Sequence, residues 1–161
     1  SPAEQVKEYF LMRNLQARDA DSPLLSVGYV GSDGAEAALT EALTRDFDLA
    51  NPRLHLVYGG QPRFELWLNQ AENTWTVAAG GQSYLLPRHG WLARAGTQLL
   101  AYSALVDGLR VDYLRTPQLT LLDGRGRETQ IGSLTSTYLT VAWSDGKVLA
   151  EGADGNLTLT P

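Results

Sequence analysis

With 161 residues, 43% of them apolar and 19% charged, the chain has the length of one ordinary domain, enough hydrophobic material for a core, and no bias toward disorder. It contains no cysteine, which excludes disulfides, thiolate metal sites and cysteine nucleophiles. A net charge of −5 lacks the basic footprint of a duplex-binding surface, so no nucleic-acid partner is expected, and no apolar run is long enough to span a membrane, so no membrane contact is expected of the chain as given.

The charge is unevenly spread: residues 1–50 sum to −5, residues 51–127 to +3 and the remainder to −3. The basic middle is supplied by Arg53, Arg63, Arg88, Arg94, Arg110, Arg115, Arg125 and Arg127. Arginines scattered along alternating strands read as solvated outward faces, with an anion-binding patch as the sharper alternative. Residue 1 is Ser with no initiator Met, so the expectation is a chain processed or cut upstream.

Ser1-Pro2-Ala3-Glu4 reads as a helix start, with Ser as cap, Pro at the first helical position and Glu three residues after the cap. Val6, Tyr9 and Phe10, then Leu11, Met12 and Leu15, make an apolar surface wider than a lone surface helix needs. Ser22-Pro23 disfavours helix before the proline, so the helix should stop near Asp19 to Asp21. Residues 22–34 read as a connector holding at most a brief strand. Ser32 or Asp33 then caps a predicted second helix, in which Ala35, Leu39, Ala42, Leu43, Phe47 and Ala50 recur at three- and four-residue steps up to Asn51-Pro52.

From Arg53 the period changes to two. Leu54, Leu56 and Tyr58 alternate with Arg53, His55 and Val57; Phe64, Leu66 and Leu68 alternate with Arg63, Glu65 and Trp67; Trp75 and Val77 alternate with threonines. Gly59-Gly60, Gly80-Gly81, Asp107-Gly108, Asp123-Gly124, Asp145-Gly146 and Asp154-Gly155 supply the turns between such strands. The expected architecture is α+β: two N-terminal helices packed on an antiparallel β-sheet, in a single domain over 1–161 with residues 1–50 mainly helical and 51–161 mainly β.

The chemistry-bearing residues form no catalytic constellation. His55 and His89 lie in a strand and in the Pro87-Arg88-His89-Gly90 turn, with no carboxylate at metal-ligand spacing, and read as ordinary polar groups. There is no Gly-x-Ser-x-Gly elbow, and the Asp residues before glycines are explained by turn chemistry. Gly124-Arg125-Gly126-Arg127 lacks the ending of a phosphate loop and reads as a hairpin tip. No stretch matches an EF-hand calcium loop. No catalytic residue, cofactor or metal ligand is therefore predicted. Trp67, Trp75, Trp91 and Trp143 read as core, with an aromatic binding surface as the alternative.

Leu43-Thr44-Arg45-Asp46-Phe47-Asp48-Leu49-Ala50 resembles the L-x-R-D-hydrophobic helix end of minor pilins and pseudopilins, J or W type, of type IV pilus and type II secretion systems. Asn73-Thr74-Trp75-Thr76-Val77, Tyr84-Leu85-Leu86 and Trp91-Leu92-Ala93-Arg94-Ala95-Gly96 are similar to strands of that group. Leu105-Val106-Asp107-Gly108-Leu109-Arg110-Val111-Asp112-Tyr113-Leu114 is the best single match, and the resemblance covers roughly residues 39–143. It implies a pilin-like fold and a non-catalytic subunit of a bacterial extracytoplasmic filament, in the periplasm or at the cell surface, whose partners are other pilin or pseudopilin subunits. In that family a membrane-inserted apolar helix precedes the globular domain. Val6, Tyr9, Phe10 and Leu15 would form an assembly face, although a plain core helix explains them as well. The strand-and-turn succession from Thr116 to Pro161 also resembles periplasmic β-jelly-roll proteins of lipopolysaccharide transport, which would imply lipid or other ligand binding instead.

Overall fold

The computed structural model describes residues 1–20, 23–45 and 47–161. The chain opens with α1 (Pro2–Ala20), started as the sequence predicts: the Ser1 hydroxyl accepts the Glu4 amide at 3.3 Å, satisfying one of the unpaired donors of the first turn. α1 ends at Ala20, within the predicted stop near Asp19 to Asp21, of which Asp21 lies outside the described residues. β1 (Leu24–Val30), β2 (Glu36–Ala37) and the single turn α2 (Leu39–Ala42) follow.

Thirteen further strands complete the chain. They are β3 (Arg53–Tyr58), β4 (Phe64–Asn69), β5 (Trp75–Ala79), β6 (Gln82–Leu86), β7 (Trp91–Ala95), β8 (Leu99–Val106), β9 (Leu109–Arg115), β10 (Leu119–Asp123), β11 (Thr129–Ile131), β12 (Leu134–Ser136), β13 (Leu139–Trp143), β14 (Val148–Glu151) and β15 (Leu157–Thr160).

Thirteen of the fifteen strands form one antiparallel sheet, ordered β15-β14-β13-β10-β9-β8-β7-β4-β3-β1-β2 with the β5–β6 hairpin joined to β8 at Leu85 and Leu105. β11 and β12 make a separate small sheet. The fold is therefore a nearly all-β sheet crossed by one long helix, and the expected α+β pilin-like arrangement of two helices on a sheet is corrected. The physical reason lies in residues 31–51. Gly34 adopts a φ of 85° and donates its amide to the Gly31 carbonyl, while Asp33 accepts the Ala35 amide at 3.0 Å. Asp33 thus closes a hairpin turn instead of capping a helix, and Glu36 and Ala37 pair with Val30 and Tyr29. Asp48 accepts the amides of Ala50 and Asn51 in a second local turn. Sheet pairing and side-chain turns use the backbone groups that a helix would need.

The strand readings from Arg53 onward are met, and so are the hairpin turns at Gly80-Gly81 and Asp107-Gly108, where both residues of each pair have positive φ. Around Asp123-Gly124 the turn shifts: Arg125 and Gly126 carry the positive φ, and Asp123 ends β10.

Alternation sorts the sheet into two faces. Ala93, Ala95, Leu99, Ala101, Leu114, Leu121, Leu139 and Val141 lie under α1 and meet its Val6, Phe10, Leu11 and Leu15. The alanines leave room for the helix to sit close. The opposite face carries Trp67, Leu92, Tyr102, Val111, Tyr113 and Leu122, covered by Trp75, Val77 and Leu86 of the β5–β6 hairpin and flanked by Ile131 and Leu134 of the β11–β12 hairpin. All four tryptophans pack in these two clusters.

Phe10 meets Trp143 edge to face, with centroids 5.7 Å apart, whereas Met12, on the outer side of α1, is 54% exposed. Phe10→Gln is therefore expected to cost about 3 kcal/mol, a drop of roughly 10 °C in melting temperature. Met12→Gln should stay within about 0.5 kcal/mol. Thermal unfolding followed by circular dichroism checks the contrast, and equal losses would contradict the orientation assigned to α1.

Candidate functional site

Among the described side chains, Lys7 is the one charged residue on the inward face of α1, one helical turn after Ala3 and one before Leu11. The Lys7 side chain is 15% exposed, and its ammonium donates to Asp112 Oδ2 at 2.9 Å and to Asp123 Oδ2 at 2.8 Å. Asp112 shares the helix-facing side of β9 with Leu114, and Asp123 shares that of β10 with Leu121. Asp123 is thus a charge set into an otherwise apolar row, while Asp112 shares its row with Arg110 as well. Asp112 also accepts Ser103 Oγ at 2.5 Å and Arg125 Nε at 2.9 Å.

Burial alone would raise the Asp112 carboxyl, but the hydrogen bonds from Ser103 and Lys7, the Lys7 charge and Arg125 hold it below its ordinary 3.8. Burial likewise opposes the Lys7 ammonium, yet its bonds to Asp123 and Asp112 hold it above its ordinary 10.5. Both groups are fixed as ions at neutral pH, so neither is poised to exchange a proton in general acid–base chemistry.

Gly124 makes this corner possible. A Cβ there would lie 2.2 Å from the Arg127 carbonyl oxygen and 2.7 Å from that of Ser136, so the close turn that carries Arg125 back to Asp112 requires glycine. Arg110 joins the cluster from β9: its Nε donates to Ser103 Oγ at 2.7 Å, and its terminal nitrogens donate to the carbonyls of Arg88 at 3.3 Å and His89 at 2.8 Å. His89 reaches this position with a φ of 65°. A crevice of about 270 Å³ opens between these groups and α1, with Leu11 and Trp91 as its apolar wall and Glu4 and Glu8 at its rim.

The residues expected to form an assembly face separate. Val6, Phe10 and Leu15 pack on the sheet, while Tyr9 is 54% exposed beside Arg13, which donates to its hydroxyl at 2.7 Å. His55 is not the ordinary surface group its sequence context suggests. Its ring stacks on Trp67 at 4.5 Å, Nδ1 faces Glu36 at 2.7 Å and Nε2 faces Glu65 at 2.8 Å. The two carboxylates sit on opposite ring nitrogens and do not converge on one point. Among the described residues no group of three His, Asp or Glu side chains is arranged to hold a metal ion. Of the arginines in the basic middle, Arg53 donates to the carbonyls of Asn73 and Thr74 and Arg127 to that of Val106; Arg110 and Arg125 meet at the crevice. Asp46, part of the pilin-like motif, lies outside the described residues.

No family model, curated protein or solved structure matches the chain.

The ion cluster gives stability a defined pH response. Its Asp112 contribution is complete above the ordinary 3.8 and is lost as pH falls through the lower folded value; its Lys7 contribution is complete below 10.5 and is lost as pH rises through the higher folded value. Asp112→Asn should cost about 3 kcal/mol at pH 7, because Lys7 and Arg125 lose a buried partner. It should also flatten the acid limb of the stability profile. Urea unfolding from pH 2 to pH 7 measures both, and an acid limb unchanged in the variant would show that Asp112 does not set it.

Proposed function

We propose that the chain is a non-catalytic subunit that assembles with further copies of itself through the edges of its sheet, in an extracytoplasmic filament or tip complex. The observation that carries this reading is β15, which pairs with β14 on one side and with nothing on the other among the described residues. Its Leu-Thr-Leu-Thr sequence is uncharged and β-favouring, its last three residues are exposed, and Leu159 is 59% exposed. Natural edge strands are usually blunted by lysine, proline or covering chain; β15 has no such protection within its span.

A complementary edge lies at the other end of the sheet. β2 covers β1 at Tyr29 and Val30, leaving residues 24–28 without an outer partner among the described residues, and Leu24 and Leu25 are 50% and 53% exposed. Residues 24–30 carry no charge, so no like-charge contact opposes the pairing. Two different edges on one chain make a heterologous contact, which continues from copy to copy instead of closing at a dimer. This reading rests on sheet edges, not on the packing of helical stems that the resemblance to pilins implied.

The lipid-carrier alternative has less support. α1 occupies the helix-facing side of the sheet, and the apolar hollow beside its far half, lined by Leu15, Tyr58, Phe64 and Leu66, measures about 110 Å³. Drug-sized ligands fill sites of about 300 Å³ or more.

The test is sedimentation velocity over a range of protein concentrations. The wild type should form an open-ended series, and Leu159→Lys or Leu25→Lys should each hold the protein as monomer with its fold intact. An equimolar mixture of the two variants should stop at dimers, because one intact edge of each kind remains to pair. A wild type that stays monomeric at all concentrations, or a dimer abolished by Leu159→Lys but untouched by Leu25→Lys, would contradict the head-to-tail reading.

A further inference from the structure

Arg110 is partly buried, and among the described residues no carboxylate lies in ion-pair contact with it; its partners are a hydroxyl and two main-chain carbonyls. Burial, followed by the neighbouring charge of Arg125, pulls its guanidinium below the ordinary value, with Asp112 opposing. Arg125, whose side chain is 43% exposed, spends its Nε on Asp112, and among the described residues its two terminal nitrogens have no partner. Two cations thus line the same crevice, each held there by hydrogen bonds to fixed parts of the fold. Close like charges cost energy in a folded protein unless an anion neutralises them.

The rest of the crevice limits what that anion is. The inner cluster sets Lys7, Arg110 and Arg125 against Asp112 and Asp123, which leaves one positive charge. One negative charge on the ligand completes the balance. A second would meet the carboxylate of Glu8, which lines the same crevice, while that of Glu4 is paired with the Ser1 ammonium at 3.1 Å. A planar carboxylate suits the paired donors of a guanidinium. Behind the cations, Leu11 and the indole of Trp91 offer an apolar wall, and the volume of about 270 Å³ admits a small molecule. We propose that this crevice, between the first half of α1 and strands β7 to β9, binds a small organic monocarboxylate, with its carboxylate on Arg110 and Arg125 and its apolar body on Trp91 and Leu11.

The proposal does not depend on self-assembly, and Leu159→Lys protein, monomeric or not, serves equally well for its test. Benzoate and hexanoate are titrated into ¹⁵N-labelled protein, with inorganic phosphate and methanesulfonamide titrated separately, while the arginine Nε and tryptophan indole resonances are followed. Saturable shifts are expected with the two carboxylates, at Arg110, Arg125 and Trp91, with no saturation by phosphate or the neutral compound. Arg125→Gln, at an exposed side chain, should weaken benzoate by at least about tenfold with the circular dichroism spectrum unchanged. Arg110→Gln should do the same, and Trp91→Leu should weaken benzoate while sparing formate. Absence of saturation by either carboxylate, saturation by phosphate alone, or benzoate affinity unchanged in both arginine variants would overturn the proposal.

Discussion

The tie between Lys7 and the pair Asp112 and Asp123 sets how helix and sheet fit together. An apolar helix can slide or rotate on an apolar sheet at modest cost, since dispersion and hydrophobic contact are non-directional. A buried ammonium with two carboxylate partners permits one placement, because any other leaves charges buried without partners. From that anchor α1 runs across the strands toward β3 and β4, where Leu15 meets Tyr58, Phe64 and Leu66. The alanines of β7 and β8 then let the helix settle against the sheet.

Much of the sheet was legible because period-two alternation and Asp-Gly turns are local signals that tertiary structure reinforces. Asp107 and Gly108 adopt the positive φ that a tight hairpin between β8 and β9 needs, and nothing distant competes for them. The second helix was misread for the converse reason. Its apolar residues do recur at helical spacing, but Asp33 and Asp48 turn the chain locally, and the edge of β1 offers backbone partners to Glu36 and Ala37. The periodicity of residues 35–50 carries no information about that competition.

The site was less legible than the fold. Lys7 stands 105 residues from Asp112, and no spacing rule links them. The available signal was a charge at an inward position of each element: Lys7 between Ala3 and Leu11 on the helix, Asp112 two residues before Leu114 on the strand. Arg125 looked like an exposed hairpin tip and Asp123 like a turn residue, and both descriptions hold locally; the turn forced by Gly124 is what carries them into the cluster. His55 shows the same limit, since the carboxylates that flank it come from β2 and β4.

One corner of the protein is thus locked by buried ion pairs, while among the described residues β15 and residues 24–28 of β1 have no outer strand, and the central claim is that those edges join copies into a chain. Amide hydrogen exchange at low and high protein concentration tests it most directly, because an edge amide exchanges freely until another strand covers it. The account predicts protection that rises with concentration in β15 and in residues 24–28 and stays constant in β8 and β9. Protection independent of concentration at both edges, or a rise confined to the outer face of α1 around Tyr9 and Met12, would contradict it.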